Sequence, residues 1–236
     1  MKNGPLFLLG LFGALAISWA GIVLGSHLQL GALTPYYDDS EGKSFPELAP
    51  GMAARGQLVY ADLGCAACHT QQVRRPDYGS DRARGWGERQ SVARDYVHQM
   101  RPQLGRSRLG PDLTNLAGRK PSAPDAEDLA KLLYLGSPTH PSYSFVFETR
   151  QVVGEPSAKA IKLTGKLAPA PGSEIVPTER AQSLVAYLLS LSTAYDYPES
   201  RPVPRPAPKT APAKPDQKSV PATVPDVKKK AGEGKQ

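Results

Sequence analysis

The stretch Cys65-Ala66-Ala67-Cys68-His69 decides the interpretation of this chain, which contains no other cysteine. A C-x-x-C-H sequence is the attachment signature of a c-type haem. In that chemistry both thiols form thioether bonds to the haem vinyl groups, and the histidine that follows binds the iron. We therefore predict one covalently attached haem c, with Cys65 and Cys68 as its attachment points and His69 as its proximal iron ligand.

Two other interpretations of the box remain. Two cysteines at this spacing can form a thioredoxin-like redox pair or half of a zinc site. A zinc site needs further Cys or His ligands at short spacing, whereas the remaining histidines, His27, His98 and His140, are scattered. A redox pair has no need of a histidine directly after its second cysteine. Both alternatives fit the residues less well than haem attachment does.

The N-terminal segment, residues 1–33, is predicted to be a transmembrane anchor. Residues 3–37 carry no formal charge and residues 6–33 are almost wholly apolar, which exceeds the roughly 20 residues needed to cross a bilayer. A cleaved signal peptide is the alternative, but its apolar region runs for only about 7–15 residues. Lys2 and the amino terminus are the only positive charges before the span, so we expect the N-terminus to lie in the cytoplasm.

Three further segments follow the anchor. Residues 34–47 read as a short extended connector, and residues 48–196 are predicted to form one domain. Residues 197–236 are rich in Pro, Ala and Lys, and from Pro198 onward they hold seven Lys and two Arg against four acidic residues. A segment with so few large apolar residues cannot bury enough surface to fold. We therefore predict a disordered basic tail.

The outer domain is predicted to be mostly α-helical. One helix is expected from Pro50 to just before Gly64, a second over residues 125–135, and a third from Thr178 through the leucine-rich stripe that ends near Leu191. Residues 151–175 read as a loop or hairpin. A helix before the haem box and another at the end is the pattern of class I cytochromes c.

In that fold the terminal helices cross at small residues and aromatics. Here Gly56 with Tyr60, and Ala186 with Tyr187, are suited to that crossing. The predicted fold class is therefore an N-terminal transmembrane helix, a class I cytochrome c domain and a disordered Pro/Lys-rich tail.

Several motifs together resemble the membrane-anchored monohaem subunit (subunit II) of cbb3-type cytochrome c oxidases. The resemblance covers the anchor and nearly all of the outer domain, and only the tail lies outside it. The motifs are Leu-Thr-Pro-Tyr-Tyr at 33–37, Gly-Cys-Ala-Ala-Cys-His-Thr-Gln-Gln-Val-Arg at 64–74, Gly-Trp-Gly-Glu-Arg at 85–89, Ser-Val-Ala-Arg-Asp-Tyr at 91–96, Leu-Gly-Pro-Asp-Leu at 109–113, Pro-Ser-Tyr at 141–143 and Val-Ala-Tyr-Leu-Leu-Ser-Leu at 185–191.

The resemblance implies a function in electron transfer, with no catalytic site of the chain's own. Electrons would come from a cytochrome donor or another haem-carrying subunit and pass to the catalytic subunit that reduces oxygen. The haem domain is then expected on the periplasmic side of a bacterial cytoplasmic membrane. Pro111 resembles the proline whose carbonyl accepts a hydrogen bond from the proximal imidazole. Arg74 and Trp86 are predicted haem-edge groups, with core packing as the alternative for Trp86.

The chain departs from the family pattern at the distal iron ligand. The family has Met-Pro-x-Tyr, where the methionine is the sixth ligand, and this chain has His140-Pro141-Ser142-Tyr143. An imidazole is a good iron ligand, so we predict that His140 is the sixth ligand. Ligation by Met100 and a five-coordinate iron remain as alternatives. Loss of thioether ligation should lower the reduction potential.

Two other functions remain open at this point. One is a free-standing, membrane-tethered cytochrome c that carries electrons between complexes. The other is a haem enzyme or gas sensor, which requires an open distal site. Residues 74–120 hold ten Arg and one Lys against five acidic residues. Such a surface could steer an acidic electron donor, whereas nucleic acid is an implausible partner for an exported haem domain.

Overall fold

The computed structural model describes residues 3–193 and 195–201. Its first helix, α1 (Gly4–Leu30), has a mean hydropathy of 2.2 and buries none of its most apolar window in the protein. The helix includes a π-helical turn at Ala20–Leu24. Its 27 residues extend about 40 Å, enough for a hydrocarbon core of about 30 Å. The predicted membrane-spanning length is confirmed, whereas anchoring and orientation stay predictions.

The connector after α1 folds back on itself. Strands β1 (Tyr36–Asp38) and β2 (Lys43–Phe45) form an antiparallel pair in which Tyr36 lies opposite Phe45. The turn between them is held by Asp38, whose Oδ1 accepts from the backbone N–H of Ser40 at 2.8 Å. The two strands are extended, as predicted for this connector, whereas the turn and the strand pairing were not predicted.

Helices α2 (Gly51–Asp62) and α4 (Glu179–Ser190) cross and pack against each other. Their aromatic rings meet at Tyr60 and Tyr187, in an edge-to-face arrangement with centroids 5.5 Å apart. A Cβ on Gly56 would overlap the main chain of Ser183. The predicted use of Gly56, Tyr60 and Tyr187 at the crossing is confirmed. The residue that faces Gly56 is Ser183, whereas Ala186, the predicted small residue of α4, is only half-buried.

Helix α3 (Ala126–Leu135) begins at the N-cap Asp125, whose side chain accepts from the backbone N–H of Asp128 at 2.8 Å. It ends at Gly136, which adopts a positive φ of 69°. Both ends agree with the sequence prediction. The core lies where α4 packs against both α2 and α3, and includes Tyr60, Leu113, Leu116, Leu129, Leu133, Leu184 and Leu188.

Strands β3 (Phe147–Gln151) and β4 (Ser173–Pro177) form a second antiparallel pair. The long segment between them contains one short 3₁₀ turn, Gly165–Leu167. The predicted loop or hairpin over residues 151–175 is thus a hairpin with an extended loop. Helix content is only 39%. The chain is therefore less helical than predicted, because long loops connect its helices.

The folded part of the chain extends past its predicted end. Tyr197 and Ser200 are buried, and Pro198–Ser200 forms a 3₁₀ turn, although the tail was predicted to begin at residue 197. The reason is an aromatic cluster in which Tyr197 packs against Tyr195 with centroids 5.1 Å apart. The rest of the predicted disordered tail, residues 202–236, lies outside the described residues.

Candidate functional site around His69 and His140

The C-x-x-C-H box forms a tight turn directly after α2. Gly64 ends the helix with a positive φ of 73°, and Cys65–Ala67 follows as a 3₁₀ turn. The backbone N–H groups of Cys68 and His69 both donate to the carbonyl of Cys65, at 3.2 and 3.0 Å. Both cysteines are free, and burial raises the pKa of the Cys65 thiol to about 11. One short loop therefore presents two thiols and an imidazole together.

His69 is held by the segment that contains Pro111. Its Nδ1 lies 2.8 Å from the Pro111 carbonyl oxygen. Because a carbonyl can only accept, Nδ1 carries the proton and Nε2 keeps a lone pair for a metal. Burial lowers the pKa of His69, and the bond to Pro111 opposes this shift. The neutral, metal-binding form of the imidazole is favoured, and Pro111 has the position predicted for it.

Gly110 allows this close approach to His69. A Cβ at position 110 would overlap the imidazole ring, so only glycine fits there. The backbone N–H of Gly110 also donates to the Cys68 carbonyl at 2.9 Å. The Gly-Pro pair therefore acts as one unit, in which Gly110 makes room for the ring and the Pro111 carbonyl accepts a hydrogen bond from it.

The second imidazole is that of His140. Its ring centroid lies 6.1 Å from that of His69, with an angle of 48° between the ring planes. Two imidazoles that bind one metal from opposite sides with bonds of about 2 Å hold their centroids about 6 Å apart. Nδ1 of His140 is buried and has no hydrogen-bond partner in the described chain. The structure thus brings the two predicted axial ligands together at a separation that suits a shared metal.

The loop around His140 is held in place by several main-chain contacts. Ser137 and His140 exchange backbone hydrogen bonds of 2.8 and 3.1 Å. Tyr143 donates its backbone N–H to the carbonyl of Leu133 in α3 at 2.7 Å, and its ring lies 5.9 Å from that of His140. The loop therefore fixes the position of the histidine through α3.

The alternative interpretations of the site find less support. Among the described residues, no three His, Cys, Asp or Glu side chains are grouped to hold a metal, so they offer no complete zinc site. Met100 is 98% exposed, so its side chain is packed against almost nothing. The residue that faces His69 is His140.

Arg74 and Trp86 belong to a cluster around the buried carboxylate of Asp81. Arg74 Nη2 pairs with Asp81 Oδ1 at 2.9 Å, and Arg108 Nη1 pairs with the same oxygen at 2.6 Å. Two guanidinium groups, those of Arg84 and Arg108, lie 4.9 and 5.5 Å from the Trp86 ring. The guanidinium of Arg74 is thus engaged within the protein, and the predicted contact of either residue with a haem stays a prediction.

Arg119 is a candidate that sequence reasoning missed. It donates from Nη2 to the carbonyl of Asp112, and its Nε is buried without a partner in the described residues. Burial lowers the pKa of Arg119, and its charge contributes to the lowered pKa of His69. A half-buried guanidinium with an open donor is suited to a carboxylate. The sequence could not single it out, because ten arginines lie between residues 74 and 120.

The residues present fit a haem c. The box supplies two free thiols, and the paired imidazoles have the separation that a shared iron needs. Arg119 offers an unpaired donor to one of the two propionate carboxylates that a haem carries. In comparisons with known proteins, no family model matches this chain and no curated protein matches it. The case for its function therefore depends on the geometry of these residues.

Proposed function

We propose that this chain is a membrane-anchored electron-transfer protein that carries one haem c. Cys65 and Cys68 would attach the group, and His69 and His140 would be its axial ligands. The observation that carries the proposal is the separation of 6.1 Å between the two imidazole rings, one of which follows directly after the second cysteine. When bound, haem c supplies a one-electron couple between ferric and ferrous iron.

The protein residues keep this site in one arrangement. The Pro111 carbonyl accepts a hydrogen bond from His69 Nδ1 at 2.8 Å, which fixes the ring and raises its basicity. Ser137 holds His140 through two backbone hydrogen bonds in the loop after α3, and the missing side chain of Gly136 leaves room for the His140 carbonyl. A fixed pair of ligands favours electron transfer, because little of the protein has to move when the charge changes.

Ligation by two histidines would lower the reduction potential relative to His/Met ligation, because a methionine ligand raises it. Such a site gives up its electron more readily than the family pattern implies. A filled distal position also disfavours a haem enzyme or gas sensor, which requires an open site. His140 is the residue on which this distinction depends.

The way in which the connector folds favours a fixed subunit over a mobile tethered carrier. Phe45 stacks on Tyr195 with centroids 4.2 Å apart, and Tyr195 donates its hydroxyl to Asp38 Oδ2 at 2.6 Å. Arg94 contacts the carbonyl of Thr34, just after α1, and also pairs with Glu199. A carrier that moves between complexes needs a long flexible tether, whereas these contacts join the connector to the folded domain.

We therefore propose the role implied by the resemblance, the monohaem subunit of a cbb3-type cytochrome c oxidase. Its partners would be the catalytic subunit that reduces oxygen, other haem-carrying subunits and a cytochrome donor. The exposed arginines between residues 74 and 120 support attraction of an acidic donor. The haem domain would lie on the periplasmic side of a bacterial cytoplasmic membrane.

The test uses the full chain, produced in a host able to attach haem c and extracted from its membranes with detergent. We expect the intact mass to exceed that of the polypeptide by one haem, and the double variant Cys65→Ser/Cys68→Ser to lose the added mass. His140→Ala is the matched control, since it should keep the covalent haem and change only the spin state. A wild-type chain without covalent haem overturns the proposal. Co-purification with haem-b-containing subunits separates the oxidase subunit from the free carrier.

A further inference from the structure

The side chain of Asp112 is completely buried and accepts four hydrogen bonds. Its Oδ2 accepts from Thr70 Oγ1 at 2.6 Å and from the backbone N–H of Gln72 at 2.9 Å. Its Oδ1 accepts from the backbone N–H and the hydroxyl of Thr114, at 2.9 and 2.5 Å. Both oxygens thus accept from backbone N–H groups, which can only donate. Four donors suit a carboxylate group, whose two oxygens act as acceptors.

These bonds join the two segments that hold the proximal imidazole. Thr70 follows His69 in the chain, and Asp112 follows Pro111, whose carbonyl accepts from the His69 ring. A further bond, from the backbone N–H of Leu113 to the Thr70 carbonyl at 2.8 Å, reinforces the pairing. Asp112 therefore fixes the distance between His69 and its acceptor without touching the ring.

The two guanidinium groups near Asp112 bind mainly to atoms other than its carboxylate oxygens. Arg108 Nη2 lies 3.6 Å from Asp112 Oδ2, but Nη1 of the same arginine lies 2.6 Å from Asp81. Arg119 donates to the carbonyl oxygen of Asp112 and not to its carboxylate. The carboxylate is thus satisfied chiefly by neutral donors, which leave its negative charge in place.

We propose that Asp112 is a positioning residue that also sets the reduction potential of the site. Its hydrogen bonds hold Pro111 against His69, and its buried charge favours the oxidised state. Uptake of one electron lowers the positive charge of the site by one unit, so a fixed negative charge nearby opposes reduction. Burial makes this effect larger than at the surface, because the effective dielectric constant is low. The inference rests on the proposed function, since it requires a bound haem.

The experiment is an equilibrium redox titration of the full-length haem protein in detergent. In Asp112→Asn, which keeps the shape of the side chain and removes its charge, we expect the ratio of reduced to oxidised protein at a fixed potential to rise about tenfold, a shift of about 59 mV for a one-electron couple. Thr114→Val keeps the charge and removes one donor, so that ratio should fall. Asp81→Asn is the matched control, because Asp81 is equally buried but paired with two arginines.

The outcomes separate the two proposals. A wild-type chain without covalent haem contradicts the proposed function before any titration is made. A haem protein whose potential is the same in Asp112→Asn and wild type overturns the role of Asp112, even if the variant is less stable. An equal rise in Asp81→Asn also overturns it, because any buried carboxylate would then serve. If Asp112→Asn does not fold, Thr114→Val decides, and an unchanged or raised potential in that variant counts against the inference.

Discussion

Gly56 of α2 lies so close to Ser183 of α4 that a Cβ at position 56 would overlap the serine carbonyl oxygen. The helices can approach to this distance because glycine has no side chain. The approach brings Tyr60 against Tyr187, whose hydroxyl donates to Gln71 Oε1 at 2.8 Å. Since Gln71 is two residues beyond His69, the helix crossing supports the segment that carries the candidate ligand.

Replacement of Gly56 by alanine should therefore destabilise the protein. We expect the free energy of unfolding to fall by about 1–3 kcal/mol, the usual cost of forcing an extra carbon into a packed interface. Alanine also favours the helix over glycine by about 1 kcal/mol, and the expected fall is what remains after this gain offsets part of the steric cost. Gly51→Ala, in the same helix but with open space around it, is the control. Denaturant unfolding that ranks the two variants equally would contradict this account of the crossing.

The stacked pair of Phe45 and Tyr195 should hold the connector to the domain. Phe45→Ala removes a buried ring, at a cost of about 3 kcal/mol, and should increase hydrogen exchange across residues 36–45. Tyr37→Ala removes an exposed ring of the same hairpin and should leave exchange nearly unchanged. If both variants exchange like wild type, the hairpin is not held by this stack and the case for a fixed subunit is weakened.

The hairpin should also loosen in acid. Hydrogen bonds from Ser40, followed by that from Tyr195, lower the pKa of Asp38 to about 2. A carboxyl group whose pKa is lower in the folded state stabilises that state above its unfolded pKa near 4, and the contribution is lost as the pH falls through the folded value. The protection of residues 36–45, measured as the exchange rate relative to that of an unfolded chain at the same pH, should therefore fall between about pH 4 and pH 2. Asp38→Asn should remove this pH dependence, and an unchanged profile would contradict it.

Two arginines should differ in what they bind. Arg74→Gln leaves the buried carboxylate of Asp81 with one guanidinium fewer, so the free energy of unfolding should fall. Arg119→Gln removes a guanidinium whose Nε has no partner in the described chain. Arg119→Gln should lower the free energy of unfolding less than Arg74→Gln does. It should, however, shift the carboxylate bands in a redox-difference infrared spectrum of the haem protein. The opposite pattern would favour Arg74 over Arg119 as the residue that binds a propionate.

Local signals predicted the helices well. Asp125 caps α3, Gly136 ends it, and Thr178 caps α4, because capping depends on residues that are close in sequence. The contact between His69 and Pro111 could also be expected, but from the family resemblance and not from the residues alone.

Long-range contacts account for what the sequence did not predict. The hairpin depends on Phe45 meeting Tyr195, and these residues are 150 positions apart. Arg119 stands out because its Nε is buried without a partner among the described residues, which is a property of the folded chain. Asp112 stood within a motif, but two of its four donors come from Thr70 and Gln72, which only the fold brings beside it. Each of these features could be recognised only in the tertiary structure.

The most direct test of the central claim is the optical and electron paramagnetic resonance spectrum of the oxidised full-length protein in detergent. If His69 and His140 are the axial ligands, we predict a low-spin spectrum without the far-red methionine–iron band, converted to a high-spin spectrum by His140→Ala. A methionine band in the wild-type protein, or a spectrum that His140→Ala leaves unchanged, would contradict the account.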